Sequence, residues 1–246
     1  MAPEEPSILN TFKMMPATHK GEQTRARILE SALDLFRRKG YEETTMRAIA
    51  REARVSLGNT YYYFRSKEQL IQAFYARSHA EHLASCQEIL EQETDLKSRL
   101  LEVFKAKIGT SMPYHRFSGI LFRTAADPQS PLHPFSEESR PVREQSLQIF
   151  VRVVEGSSTR IPEVLRRELP ELLWLHLMGI ILFWIHDRSP GCDRTYRLIE
   201  RSVEIVARLV TIAGLPPVRP LTRSALRLLR ELRPEVDNSP GATPHE

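Results

Sequence analysis

The stretch from Ser56 to Lys67, SLGNTYYYFRSK, gathers three phenols, an amide, two serine hydroxyls, a guanidinium and an ammonium. Phenolic hydroxyls donate to phosphate oxygens, and their rings supply rigid contact area at low entropic cost. On a helix successive side chains stand about 100° apart, so Tyr61, Tyr62 and Tyr63 sweep about 200° of arc. They cannot all face one small core. With Phe64 and one tyrosine edge turned inward, the other positions face outward. Gly58 and Asn59 suit the leading turn, where backbone and short side chains can approach base edges.

The charge distribution points the same way. Residues 20–67 hold eleven lysines and arginines against six carboxylates, whereas 68–246 hold 23 of each. The basic excess sits in one N-terminal block, the footprint of a nucleic-acid-binding module. A chain of 246 residues, 41% hydrophobic and 27% charged, has the composition of a soluble globular protein of one or two domains. Two distant cysteines, Cys86 and Cys192, make no disulfide framework and suit a reducing cytoplasm. Residues 1–20 begin acidic and proline-bearing, lack a signal-peptide pattern, and read as a disordered arm. The apolar run Leu172–Ile185 falls short of the ~20 residues that span a bilayer. It reads as a fully buried helix, and no membrane association is expected.

Four helices must position the tyrosines. In the first, Ile28, Leu29, Ala32, Leu33, Leu35 and Phe36 form an apolar stripe that ends at Arg37-Arg38-Lys39-Gly40, a basic last turn with a glycine stop. Thr44 or Thr45 caps a short second helix with Met46, Ile49, Ala50 and Ala53 inward. Ser56 caps a third, running to about Arg65. Ser66 to Gln69 fits a capping box that opens a fourth, with Leu70, Ile71 and Phe74 inward. Two short helices joined by a tight turn in a basic block describe a helix-turn-helix, whose second helix enters the major groove.

The run TTMRAIAREARVSLGNTYYYFRSKEQLIQAF, Thr44 to Phe74, with the preceding ILESALDLFRRKGYEETT, resembles the DNA-binding signature of the tetracycline-repressor (TetR) family of bacterial transcriptional regulators. The resemblance covers roughly residues 22–76 and rests on Gly-Tyr, the threonine pair, Ile-Ala, Val-Ser, Gly-Asn, Tyr-x-Tyr-Phe and Ser-Lys-Glu in combination. It implies an all-α chain: a helix-turn-helix domain over 21–67, then a helical regulatory and dimerisation domain over 68–215. It further implies a homodimeric repressor, in the bacterial cytoplasm at the nucleoid, released from a palindromic double-stranded DNA operator by a small effector. Position by position, it implies that Ser56, Leu57, Gly58 and Tyr61 face base edges. Thr45, Asn59, Tyr62, Tyr63 and Lys67 would touch phosphates, with Arg47 beside them. Two residues depart from the family pattern. Arg54 stands where the turn commonly has glycine, and Leu57 replaces a more usual polar residue, favouring apolar contact such as a thymine methyl.

Beyond residue 68, helical patterning recurs at about 79–92, 96–110, 113–126, 137–155, 162–187 and 194–213. Pro- and Gly-bearing breaks separate these segments, and Pro128, Pro131 and Pro134 stiffen one loop. The helices at 171–187 and 194–213 are expected to pair across a two-fold axis, the second through a seam of Tyr196, Ile199, Val203, Val206 and Val210. Tyr114, Phe117, Phe122, Trp174 and Met178 are candidates to line a pocket for a hydrophobic or aromatic effector. His79 and His82 share a helix face but read as solvated, without a metal-ligand set. No nucleophile-elbow, phosphate-loop or Cys-x-x-Cys motif appears, so neither cofactor, metal nor catalysis is expected. Arg223–Arg233 reads as one more amphipathic helix in an extension, 216–246, whose end is expected to be disordered. The competing reading is a helical lipid-binding protein or enzyme whose N-terminal bundle has lost specific DNA binding; motif and charge weigh against it.

Overall fold

The computed structural model describes residues 19–127, 129, 130 and 132–231, and among them every regular element is helical. The expected arm at 1–18, Pro128, Pro131 and the chain from Leu232 onward lie outside the described residues. In order the helices are α1 (His19–Lys39), α2 (Met46–Glu52), α3 (Leu57–Tyr63), α4 (Lys67–Gln92), α5 (Leu96–Ser111), α6 (His115–Ala126), α7 (Arg140–Glu155), α8 (Glu163–Arg166), α9 (Leu169–His186), α10 (Asp193–Ile212) and α11 (Arg219–Glu231). Two compact units result. One holds the described residues up to Arg77 with 116–139; the other holds 78–115 and the described residues from 140 onward.

In the first unit, the α1 stripe is buried as its spacing predicts, and Gly40 at φ +88° ends the helix with its N–H on the Phe36 carbonyl. Met46, Ile49 and Ala50 of α2 and Leu70, Ile71 and Phe74 of α4 complete this core, with Phe64 1% exposed. Each buried Leu, Ile, Met or Phe side chain here contributes about 1.5–3 kcal/mol, the alanines less. The fourth helix runs 26 residues without interruption, so the segment expected as a separate helix at 79–92 is its second half.

The second unit packs α5, α7, α9 and α10 around Phe104 and Phe150, whose rings meet edge to face at 5.9 Å. The segment at 162–187 divides into α8 and α9. Pro170 explains the restart: it has no N–H for a continuing helix but is tolerated in a first turn. α9 spans 18 residues of mean hydropathy 1.5, enough by length and composition to cross a membrane. It buries Leu173, Trp174, Leu177, Ile180 and Trp184, but Leu175, Leu182 and Phe183 stand exposed, so the expectation of a fully buried helix is corrected. On α10, Ile199, Val203 and Val210 face the unit's own core, while Ile205, Leu209 and Ile212 are exposed. The anticipated pairing seam is therefore a core face. Apolar residues occupy two sides of α10, and periodicity alone does not say which side the protomer uses.

One buried cation ties this unit together. Arg99 donates to the carbonyls of Leu90 and Glu93 near the end of α4 and, at 2.7 Å, to Arg152 near the end of α7. Helix C-termini leave carbonyls unsatisfied, and a guanidinium with five donors suits several at once. Arg99→Ala should lower the unfolding free energy by about 2–3 kcal/mol, measured by urea titration, because it strands these acceptors.

Candidate nucleic-acid interface

Local hydrogen bonds fix the two short helices end to end. Thr45 is the N-cap of α2, its Oγ1 accepting from the Ala48 N–H at 3.2 Å. Thr44, the alternative start, is buried and donates to the Gly40 carbonyl. α2 stops in a Schellman turn: Arg54 N–H reaches Arg51 O at 3.2 Å and Val55 N–H reaches Ala50 O at 3.0 Å. Such a turn needs its penultimate residue left-handed, and Arg54 sits at φ +53°. Ser56 then caps α3, accepting from Asn59 N–H at 3.0 Å.

From this frame α3 presents its outer face. Tyr62 is 79% exposed and Tyr61 47%. Tyr63 is half-buried and meets the Tyr62 ring edge to face at 5.1 Å. Thr45, Arg47, Ser56, Gly58 and Asn59 are exposed; Leu57 and Lys67 are half-buried. All ten sequence-derived contact residues thus belong to one unit, within α2, α3, their caps and the first residue of α4. A Cβ built on Gly58 would meet nothing within 4 Å. Glycine costs a helix about 1 kcal/mol relative to alanine, and the chain's own packing does not require it there.

Three features of this site escape sequence reasoning. Thr60 is the residue α3 buries completely, its hydroxyl donating to the Ser56 carbonyl. Tyr41 anchors the start of α4: its hydroxyl donates to Glu68 at 2.7 Å and its carbonyl accepts from Lys67 Nζ at 2.7 Å. The Lys67 ammonium also lies 4.2 Å from the Tyr41 ring centre. Burial, and then the Glu68 hydrogen bond and charge, push the Tyr41 phenol above its usual range. Gly40-Tyr41 was the visible signal, but not its partner 27 residues away.

The pocket candidates are less concentrated. Trp174 is buried, Tyr114, Phe122 and Met178 are half-buried, and the Phe117 side chain lies outside the described residues. A cavity of about 350 Å³ opens elsewhere in the second unit, among Leu169, Leu173, His176, Val210, Leu221 and Leu226 of α9, α10 and α11. His79 and His82, expected at the solvent, are buried. Among the described residues no cluster of three or more His, Cys, Asp or Glu could hold a metal ion.

A capped, outward-facing α3 set against α2 by a tight turn defines a helix-turn-helix DNA-binding transcriptional regulator. Residues 28–74 match the family model for bacterial regulatory proteins of the tetR family, and residues 99–228 match that for the tetracyclin repressor-like C-terminal domain. The chain belongs to the TetR family. It is similar to the HTH-type transcriptional regulator TtgR of Pseudomonas putida, with 27% identity over 76% of this chain and 86% of that one. A shorter match, 36% identical, covers 29% of this chain and 37% of the regulator UidR of Escherichia coli. The fold is also that of a TetR transcriptional regulator from Nitrosomonas europaea (TM-score 0.58, 18% identity, 76% of this chain and 99% of that one).

The left-handed Arg54 gives a direct check on the turn. Arg54→Gly should raise stability by about 1 kcal/mol, read from urea melts, since only glycine enters that region without steric cost.

Proposed function

We propose that this chain is an effector-released repressor that reads a palindromic operator as a homodimer. The observation that carries the proposal is the open face of α3 around Gly58, where nothing inside the protein needs the missing side chain. A base edge approaching that backbone would. In this reading Ser56, Leu57, Gly58 and Tyr61 face bases, while Thr45, Arg47, Asn59, Tyr62, Tyr63 and Lys67 hold phosphates. Thr45 and Ser56 each spend a lone pair on capping and keep the hydroxyl proton for a phosphate or base. Lys67 keeps further donors beyond the one on Tyr41, and it sits at the first turn of α4, where the helix dipole favours an anion.

The exposed apolar residues Leu175, Leu182 and Phe183 of α9 and Ile205, Leu209 and Ile212 of α10 support pairing with a second copy. Two recognition helices would then meet half-sites about 34–36 Å apart. Operator release follows if an effector held by the second unit favours a state that spaces these helices wrongly, by no more than its differential affinity. The setting is the bacterial cytoplasm, at the nucleoid.

Gel shifts on the region upstream of the protein's own gene test the reading. Specific binding should weaken about a thousandfold or more between 50 and 200 mM salt, as several phosphates are neutralised. No preference over random DNA at moderate salt would sink the proposal. Lys67→Ala should weaken all sites alike, whereas Gly58→Leu, which α3 has room to carry, should leave the melting temperature unchanged or higher and abolish or redirect sequence preference. Sedimentation should give a dimer at micromolar concentration, and Leu209→Glu should shift it toward monomer.

A further inference from the structure

The cavity of about 350 Å³ lies where α8, α9, α10 and α11 meet in the second unit. Leu165 of α8, Leu173 of α9, Val210 of α10 and Leu226 of α11 wall it, and all four are buried. Leu209 and Leu221 also line it but are exposed, which marks its open side. Protein interiors pack to nearly the density of organic crystals, and voids larger than a water are few. This space is more than ten times the ~30 Å³ share of one water, too large to be ordinary packing slack.

Polar contacts fix the wall helix at both ends. At the start of α11, Arg219 Nε donates to the Gly214 carbonyl at 2.8 Å. The Thr222 hydroxyl meets the Ala213 and Val218 carbonyls at 3.3 and 3.2 Å. Near its end, Arg230 Nε donates to Glu168 at 2.9 Å, and Glu168, just before α9, is 3% exposed. Between these anchors Leu221 and Leu226 face the cavity.

The lining sets the chemistry of an occupant. Among the described residues no charged side chain borders the cavity, and its two polar neighbours are His176 and Thr222. Thr222 has spent its proton on the carbonyls just named. His176 Nε2 bonds Ser202 Oγ at 2.9 Å and its Nδ1 is itself buried, so neither nitrogen is offered to a molecule in the cavity. Burial pushes this imidazole down, which leaves it neutral at pH 7. An ionised group placed here would lose its hydration and gain no partner. A cavity of about 150 Å³ with a comparable Leu and Ile lining takes up benzene, so this one has room for a molecule of about ten carbons. A leucine inserted by another protein chain would leave most of it unfilled. A small molecule suits the space better than a docked partner.

We propose that this cavity binds one neutral, hydrocarbon-like molecule of about ten carbons. The pocket residues expected from the sequence, Tyr114, Phe122, Trp174 and Met178, do not border it, so the site is a separate one. An occupant would touch α9 and α10, the helices read above as pairing with a second copy. Its use as the effector site rests on the reading of this chain as effector-released.

The test uses the full chain and two matched pairs, decanol with decanoate and butylbenzene with phenylbutanoate, read by thermal melting. The neutral members should raise the melting temperature by about 2–4 °C where the acids do not. Val210→Phe, which fills the cavity from α10, should leave the ligand-free melting temperature unchanged or higher and abolish the response. Should that variant fail to fold, Leu226→Trp fills the space from α11 and carries the same comparison. Acids that stabilise as well as their neutral partners, or a response that survives filling, would overturn the assignment. Silence from all four probes overturns it too, and a shift of Leu226→Trp toward monomer on sedimentation would then mark a second copy as the occupant. Silence leaves the effector-released reading untouched. Stabilisation by decanol without release of the operator in gel shifts keeps the site and counts against that reading instead.

Discussion

A seven-residue helix does not hold itself together in water, because ordering its first turn costs more than its few hydrogen bonds supply. Both α2 and α3 have that length, so the direction in which α3 faces is decided at its ends and beneath it. The Thr45 cap, the left-handed Arg54 and the Ser56 cap hold three successive junctions, and no residue between Ala53 and Ser56 is free to wander. Thr60 and Phe64 bury the underside. Tyr41 then fastens Lys67 and Glu68, so the helix that follows starts in register with the first. Every outward-pointing side chain on α3 inherits its position from these few contacts.

Features governed by local chemistry were legible in the sequence. Gly40, Thr45, Ser56 and Ser66 announce helix ends through bonds made within four residues, and each falls where the structure has it. Arg54 was legible too, as a non-glycine in a place that calls for positive φ. Features decided by distant packing were not. Nothing between Phe74 and His79 breaks a helix, yet the polar residues there masked the continuity of α4. His79 and His82 look solvated on a helical wheel, and only α5 and α7 lying over them reverse that. α10 carries apolar residues on two sides, and the sequence does not distinguish the side that meets its own unit from the side left open.

The second unit is held by polar groups as much as by its aromatic core. Arg99 gathers helix-end carbonyls, and Asp187 accepts from Ser189 and Thr195 at the start of α10. These hydrogen bonds outweigh burial and keep the Asp187 carboxyl well below its ordinary range. In both places buried acceptors, the helix-end carbonyls around Arg99 and the Asp187 carboxylate, meet donors, which is the usual condition of buried polar groups.

Gly58 carries an implication for how such a protein can change. A glycine inside a helix, with open space where a side chain would go, is a position at which many substitutions would make the fold sturdier. Selection for robustness alone would therefore tend to erase it early, and a descendant relieved of its operator should show the loss there first. A residue whose side chain the fold does not need is thus a sensitive record of whether the chain still reads DNA.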